Sequence, residues 1–380
     1  MEEWKEYKLG DVLTIKYGKD HKQLADGDIP IYGSGGIMRY GERSLYDGPS
    51  ILIPRKGSLN NVIYANKPFW TVDTMFWSII NDSIANPLFV YYSICKKDFA
   101  SLNVGSAVPS LTVPVIEDID ILLPPKATQD KVASVLKSLD DKIEVNRRIN
   151  DNLEQQAQAL FKSWFVDNPN SNWKKISLSE VASFVGGYSY TGKELTDFSN
   201  VAMATIKNFV RNGGFKAGGF KGINPSAKLK ECHYANLFDI LVAHTDLTQN
   251  ADVIGNAELL LTCGKYNSII FSMDLVKVLP KEIFPYRFLL AAMLKNKMFK
   301  GHCLGYINGT TVLHLNKKAL PEFEIRKPSD SEAKIMNEIL APYYKRMAKL
   351  LQETDKLISL RDTLLPKLMS GELKINDINN

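Results

Sequence analysis

The stretch GSAVPSLTVPVIEDIDILLPP, residues 105–125, has a second version in GTTVLHLNKKALPEFEIRKP, residues 309–328. With Gly105 set on Gly309, an offset of 204, Val108 meets Val312, Leu111 meets Leu315 and Ile116 meets Leu320. Asp118 then meets Glu322, Ile119 meets Phe323, Asp120 meets Glu324, Ile121 meets Ile325 and Pro124 meets Pro328. Apolar positions stay apolar and acidic ones stay acidic. Farther out, WKEYKLGDV at Trp4–Val12 returns as WKKISLSEV at Trp173–Val181, an offset of 169. A chain that repeats at both ends of a segment reads as two copies of one supersecondary frame. The offset grows from 169 to 204, so the second copy carries 35 more residues in its middle. IPIYGSGGIMRYGERSLYDGPSILIPRKGS, residues 29–58, has no visible counterpart in the second copy. The expectation is one frame with two different contents.

Each copy runs into a helix. From Thr128 to about Val166 there is no Pro or Gly, and apolar residues fall at Val132, Leu136, Leu139, Ile143, Ile149, Leu153, Ala157, Leu160 and Trp164. Spacings of three and four predict a long amphipathic helix with a coiled-coil-like seam. Thr128 is the expected N-cap, with Pro125 as the stop before it, and VDNPNSN marks the helix end and the linker. From Ser331 the second seam reads Ile335, Ile339, Tyr343, Met347, Leu350, Leu357, Arg361, Leu364 and Leu368. Pro342 is expected to kink or delay this helix, and Pro366 and Gly371 to end it. Each helix spans roughly 55 Å, beyond the ~30 Å diameter of a domain of this size. A narrow seam on a polar helix needs a partner, and the other copy supplies one; the alternative is that each helix packs on its own domain. Asn146, Asn150 and Thr354 fall near the seams, where polar residues fix register.

The resulting fold class is α+β. Two globular mixed α/β domains are related by a pseudo-twofold axis and separated by two long antiparallel helices that form a coiled-coil-like spacer. The division is 1–125 for the first globular domain, 126–168 for the central helix, 169–328 for the second domain and 329–380 for the C-terminal helix and tail.

Composition bounds the function loosely. The chain has 380 residues, net charge +5 and four scattered cysteines, which suits a reducing compartment better than a disulfide framework. The N-terminus is charged rather than signal-like, and no apolar run is long enough to span a bilayer. Residues 1–170 hold 19 Lys/Arg against 22 Asp/Glu, and the remainder 28 against 20. That is a weak electrostatic footprint for nucleic acid. Two unlike readers at a fixed separation would nevertheless match two different half-sites on a duplex, as twofold proteins match their operators.

Here the sequence resembles the specificity subunits of type I restriction-modification systems. LGDVLTIKYGK, IPIYGSGGI, WTVDTMFW, PSLTVPVIEDIDILLPPKATQDKVASVLKSLDDKI, ALFKSWFVD and TLLPKLMSGEL carry the likeness, in order and over essentially the whole chain. The resemblance implies a non-catalytic subunit that binds a bipartite, asymmetric sequence in double-stranded DNA, one half-site per recognition domain, with the helices as a ruler. It implies two methyltransferase subunits as partners, docked on the outer helix faces and neighbouring domain edges, and restriction subunits through them. S-adenosylmethionine belongs on the methyltransferase and ATP with Mg²⁺ on the restriction subunit, so this chain is expected to bind no cofactor. A cytoplasmic location in a bacterium or archaeon and no membrane contact are implied as well. The competing readings are a two-domain protein scaffold that never touches DNA, and an enzyme.

The enzyme reading lacks its motifs. Gly187-x4-Gly192-Lys193 approaches a phosphate loop, but position 194 is Glu where a hydroxyl must meet Mg²⁺. GSGG at Gly33–Gly36 is too short for a dinucleotide fingerprint. Cys232-His233 and His302-Cys303 lack paired zinc-ligand spacing. Asp362 and Glu372 with Lys374 read as a helix end and tail rather than a nuclease cluster. No Asn/Asp-Pro-Pro-Tyr/Phe tetrapeptide occurs, so base methylation by the chain itself is not expected.

DNA contacts are expected in the middles, because specificity must differ between copies. In the first copy the candidates are Tyr32, Ser34, Arg39 and Tyr40 on a glycine-rich loop, with Arg39 able to fork onto guanine. Arg55, Lys56, Ser58, Asn60 and Asn61 form the next group, offering phosphate and base contacts, and Ser106 lies in the loop before the helix. In the second copy residues 174–230 hold nine Lys/Arg against three Asp/Glu. Tyr188, Ser189, Tyr190, Lys193, Lys207 and Asn208 stand there. His244, Thr245, Asp246, Gln249 and Asn250 follow the strand-like DILVA, and Asn308 and Thr310 match the Ser106 loop. A solvated or backbone-capping role is the alternative for each. Trp4, Trp70, Trp77, Trp164 and Trp173 are read as core or interface, and Asp73 as a turn residue.

Overall fold

A computed structural model describes residues 4–105, 108–211 and 213–374. By packing, the chain forms two units, Met1–Asp141 with Ile358–Asn380, and Lys142–Leu357.

In the first unit Lys5–Lys8 pairs antiparallel with Asp120–Leu123, register Lys5 to Leu123. A short helix, Leu9–Val12, leads into a four-stranded sheet ordered 13–17, 75–80, 50–54, 63–65. A second sheet is ordered 36–41, 29–33, 70–71, with Ile29–Gly33 and Trp70–Thr71 parallel. Ser50–Pro54 is buried along its length, and its two-residue period feeds two cores. Ile51 and Ile53 join Leu9, Phe76, Phe89 and Ile116, whereas Leu52 joins Ile31, Phe69 and Trp70. The helix Pro87–Ile94 closes one side, with Asn86 accepting from the Leu88 and Phe89 amides and Pro87 in the first turn.

In the second unit Lys174–Ser177 pairs with Glu324–Lys327, register Lys174 to Lys327. Both offsets of the repeat, 169 and 204, thus meet across one ladder in each copy. The sheets are ordered 182–186, 275–280, 240–243, 257–259 and 221–222, 201–204, 268–271, 234–235, with Val201–Ala204 and Ser268–Phe271 parallel. Ile240 and Val242 face one core while Leu241 and Ala243 face another.

The absence of a counterpart for residues 29–58 is therefore overturned at the level of strand pairing. Ile29–Gly33 answers to Val201–Ala204, each with a parallel neighbour, and Ser50–Pro54 answers to Ile240–Ala243. Pairing requires only apolar character on the correct face, so IPIY and VAMA need share no residues. Between Tyr32 with Ala204 (offset 172) and Ile51 with Ile240 (offset 189) the second copy gains 17 residues, in the connections on either side of the strand Lys221–Gly222.

The long helices are Lys126–Lys162, 37 residues, and Asp330–Met369, 40 residues. The first starts at Lys126, so Thr128 is not its N-cap. The Pro125 carbonyl accepts from the Thr128 and Gln129 amides, which places Thr128 inside the first turn. One wider turn, Ser163–Asp167, extends the helix end. The second helix starts before Ser331, where Ser329 and Glu332 exchange hydrogen bonds as a capping box. It runs unbroken through Pro342 and Pro366, so neither delays nor ends it. Both rings face solvent, while Leu340, Tyr344, Leu365 and Leu368 anchor the adjoining faces in core. Gly371, at φ +74°, follows the end.

The helices lie antiparallel within each unit. In the first, Asp140 meets Arg361 at 2.7 Å, and Leu136 shares a core with Leu365 and Leu368. In the second, the Asn146 amide donates to Glu353 at 3.1 Å and to Thr354 at 3.4 Å, and Ala157 shares a core with Tyr344 and Leu340. Asn146, Asn150 and Thr354 are all buried. The beginning of the expected second seam is rotated, however. Ile335 and Ile339 are 57% and 41% exposed, and Ala333, Leu340 and Tyr344 face inward in their place.

Candidate DNA interface

Each unit gathers three connections at one end of its central strand pair. In the first unit the Arg55 amide donates to the Thr74 carbonyl and the Arg55 carbonyl accepts from Leu111. Gly57 donates to Pro109, and the Asn61 side chain donates to the Ser34 carbonyl at 2.8 Å. Ser34, Arg55, Lys56, Ser58 and Asn61 therefore belong to one cluster. Gly57, at φ +88°, brings its backbone against Ser34 so closely that a Cβ would stand 2.8 Å from the hydroxyl. Arg55 lies over the exposed Tyr17 ring at 5.6 Å and donates to the Asp73 carbonyl at 3.0 Å.

Four first-copy candidates sit differently. Arg39 folds back on the segment that precedes its hairpin, donating to Asp26, to His21 and to the Leu24 carbonyl, so its fork is already filled. Asn60 holds Asp98 and the Ala100 amide. Tyr40 is half exposed on the strand Gly36–Gly41, and Tyr32 is half-buried, with its pKa raised by that burial. Ser106 lies outside the described residues.

In the second unit the same ladder recurs. His244 donates to Asp274 and accepts from Leu315, and Thr245–Asp246 pairs with Leu313–His314. The Gln249 side chain donates to the Thr310 carbonyl at 2.7 Å, joining the loop after the strand to the loop of Asn308 and Thr310. The third connection, which carries Lys207, is held by Arg211 to Asp252 at 3.3 Å and by Asn256 to the Val210 carbonyl. Burial, with His314 and Lys317 close by, holds the His244 imidazole below its ordinary range, against the pull of Asp274. A neutral imidazole offers both a donor and an acceptor.

Several second-copy candidates are structural instead. Tyr188 is 1% exposed, with its hydroxyl bound to Glu194 and Ser226. Asn208 is fully buried and bridges the Thr205 amide to the Lys216 carbonyl. Asp246 accepts from the amides of Thr248, Val253 and Ile254 and from the Thr248 hydroxyl, and Thr245 donates to Asp274. None of these four side chains is free to meet a base. Ser189, Lys193, Lys207, Gln249, Asn250, Asn308 and Thr310 are exposed and Tyr190 is half-buried. Sequence reasoning missed Tyr17 and Arg211, because what places them is a neighbour distant in the chain, Arg55 over Tyr17 and Asp252 beside Arg211, rather than a motif.

The stretch Gly187–Glu194 is a turn. Glu194 closes it by accepting from the Thr191 amide, and no phosphate-loop geometry results. Among the described residues no three His, Cys, Asp or Glu side chains gather as a metal site, and no helix is long and apolar enough to cross a membrane.

Residues 1–155 and 170–359 match the family described as the type I restriction modification DNA specificity domain. The HindI specificity subunit of Haemophilus influenzae is 22% identical over 98% of this chain and 100% of its own length. The MjaIX specificity subunit of Methanocaldococcus jannaschii is 23% identical over 98% of this chain and 89% of its own. The crystal structure of a type I restriction-modification S subunit from M. genitalium shares the fold, with a TM-score of 0.61 at 16% identity over 97% of this chain and 96% of that one.

Proposed function

The chain belongs to the type I restriction modification DNA specificity family, and on that premise we propose that it reads a bipartite, asymmetric sequence in double-stranded DNA, one half-site for each copy. One observation carries this reading: the two copies bring the same three connections to the same ladder position, yet fill them with different side chains. Arg55, Lys56, Ser58 and Asn61 stand where His244, Gln249 and Asn250 stand in the other copy. Arg and Asn side chains read base edges in forked geometry, and Lys meets phosphate. In this reading the long helices set the separation of the two half-sites.

The chain itself is non-catalytic in this reading. It positions two methyltransferase subunits, and restriction subunits through them, on the target. S-adenosylmethionine and ATP with Mg²⁺ belong to those partners, and the complex works in the cytoplasm. The excess of acid over base in residues 1–170 favours weak DNA binding by the lone chain, with much of the phosphate neutralisation supplied by partners. The test is methylome sequencing with and without this gene. Loss of adenine methylation at a split motif is the expected result; unchanged methylation would favour a protein scaffold that never meets DNA.

A further inference from the structure

We propose that Lys295 is a positioning residue for the second copy, tying a long helix to the glycine loop beside the DNA-reading residues. The proposal rests on the recognition role set out above. Lys295 follows the helix Arg287–Leu294, and its side chain is only 7% exposed. Its ammonium donates to Glu154 of the first long helix at 3.0 Å and to Glu258 of the edge strand Ala257–Leu259 at 2.6 Å. It also stands over the Tyr344 ring of the second long helix at 5.9 Å. The other Glu258 oxygen accepts from the Gly214 amide at 2.5 Å. Gly213 and Gly214 hold φ of +93° and +107°, and Val210 bonds back to Gly214. The same loop carries Lys207 and the Arg211 that pairs with Asp252. One relay of contacts thus runs from helix carboxylate to ammonium to strand carboxylate to loop amide. Burial alone would lower the Lys295 pKa, but Glu258 and Glu154 reverse that and keep it protonated.

The first copy builds the same frame without this relay. At the equivalent position of the first copy, after the helix Pro87–Ile94, stands Cys95, and the residue equivalent to Glu258 in the ladder is Ile63. Buried ion pairs are a costly way to join elements that apolar residues join as well. A charged relay confined to one copy, and ending on a loop confined to that copy, is accounted for by what it positions.

The test uses the assembled methyltransferase complex in cells, read by the methylated motif. Gly214→Ala first identifies which half-site depends on the loop. Glu154→Gln and Lys295→Met are each expected to lower discrimination roughly tenfold at that half-site and to leave the other unchanged. Lys295→Arg, which retains donors for both carboxylates, should preserve the motif. Glu154→Gln keeps the side-chain shape, so the test survives if Lys295→Met fails to fold. An unchanged motif in Glu154→Gln, or equal loss at both half-sites, overturns the positioning role. A wild-type complex with no split motif would overturn the recognition role itself.

Discussion

Arg55 and His244 occupy the same place in their two units. Each donates its amide to the residue before the central strand, Thr74 or Asp274, and each accepts through its carbonyl from a leucine, Leu111 or Leu315. Their backbones are interchangeable and their side chains are not. Arg55→Ala should therefore relax one half of the methylated motif and His244→Ala the other half, each by roughly 10- to 100-fold, the cost of about 1–3 kcal/mol for a lost base contact. Motif analysis of the two variants side by side checks this; relaxation of the same half by both would contradict it.

Asn146 places a buried amide on the helix seam. Its nitrogen reaches Glu353 and Thr354, while its oxygen has no partner among the described residues. Asn146→Leu should raise thermal stability, by about 1–3 kcal/mol, since an apolar residue there avoids the cost of an unsatisfied polar group. The same variant should lose the preference for one helix register. Thermal melts show the first effect, and disulfide trapping of cysteine pairs at neighbouring seam positions shows the second.

Glu194 accepts from the Tyr188 hydroxyl, the Thr191 amide and the Ser226 amide, which hold its pKa down to about 2. A carboxyl whose folded pKa lies below its unfolded value of ~4.3 stabilises the fold above that value. The contribution is then lost as pH falls toward about 2. Glu194→Gln should flatten this part of the acid-unfolding curve and leave the slope near neutrality as it was. An unchanged slope between pH 2 and 4.5 would contradict the assignment.

Asp246 separates a structural role from a reading role. It organises the turn Thr248–Ile254 through three amides and a hydroxyl. Asp246→Ala should destabilise the protein by about 3–5 kcal/mol, because charged hydrogen bonds count for about 1.5–3 kcal/mol each and the amides would be left unpaired. Chemical denaturation measures this. A base reader at that position would leave stability unaltered.

The frame was legible because its ends repeat residue by residue, and the ladder from Lys5 to Leu123 returns from Lys174 to Lys327. The shared middle was not legible. IPIY and VAMA have in common only the apolar character that pairing next to a core requires, and 17 added residues lie between them and the matched strand Ile240–Ala243. The helix seam was read well at Leu136, Ile143 and Ala157. It failed at Ile335 and Ile339, where two phases of the apolar pattern compete and tertiary packing chooses Ala333 and Leu340. Polar loop residues were hardest to sort. Tyr188, Asn208 and Asp246 look like Ser189, Lys207 and Gln249 in sequence, but the amides that consume them lie in segments no local pattern announces.

The placement of that 17-residue addition has a bearing on heredity. Extra chain enters in links between ladder steps, so crossovers between related genes at the duplicated ends would exchange one copy's middle intact and leave the girders standing. On the proposed reading, a gene of this build lends itself to reshuffling: one such event would change one half of the target and leave the rest of the frame as it was.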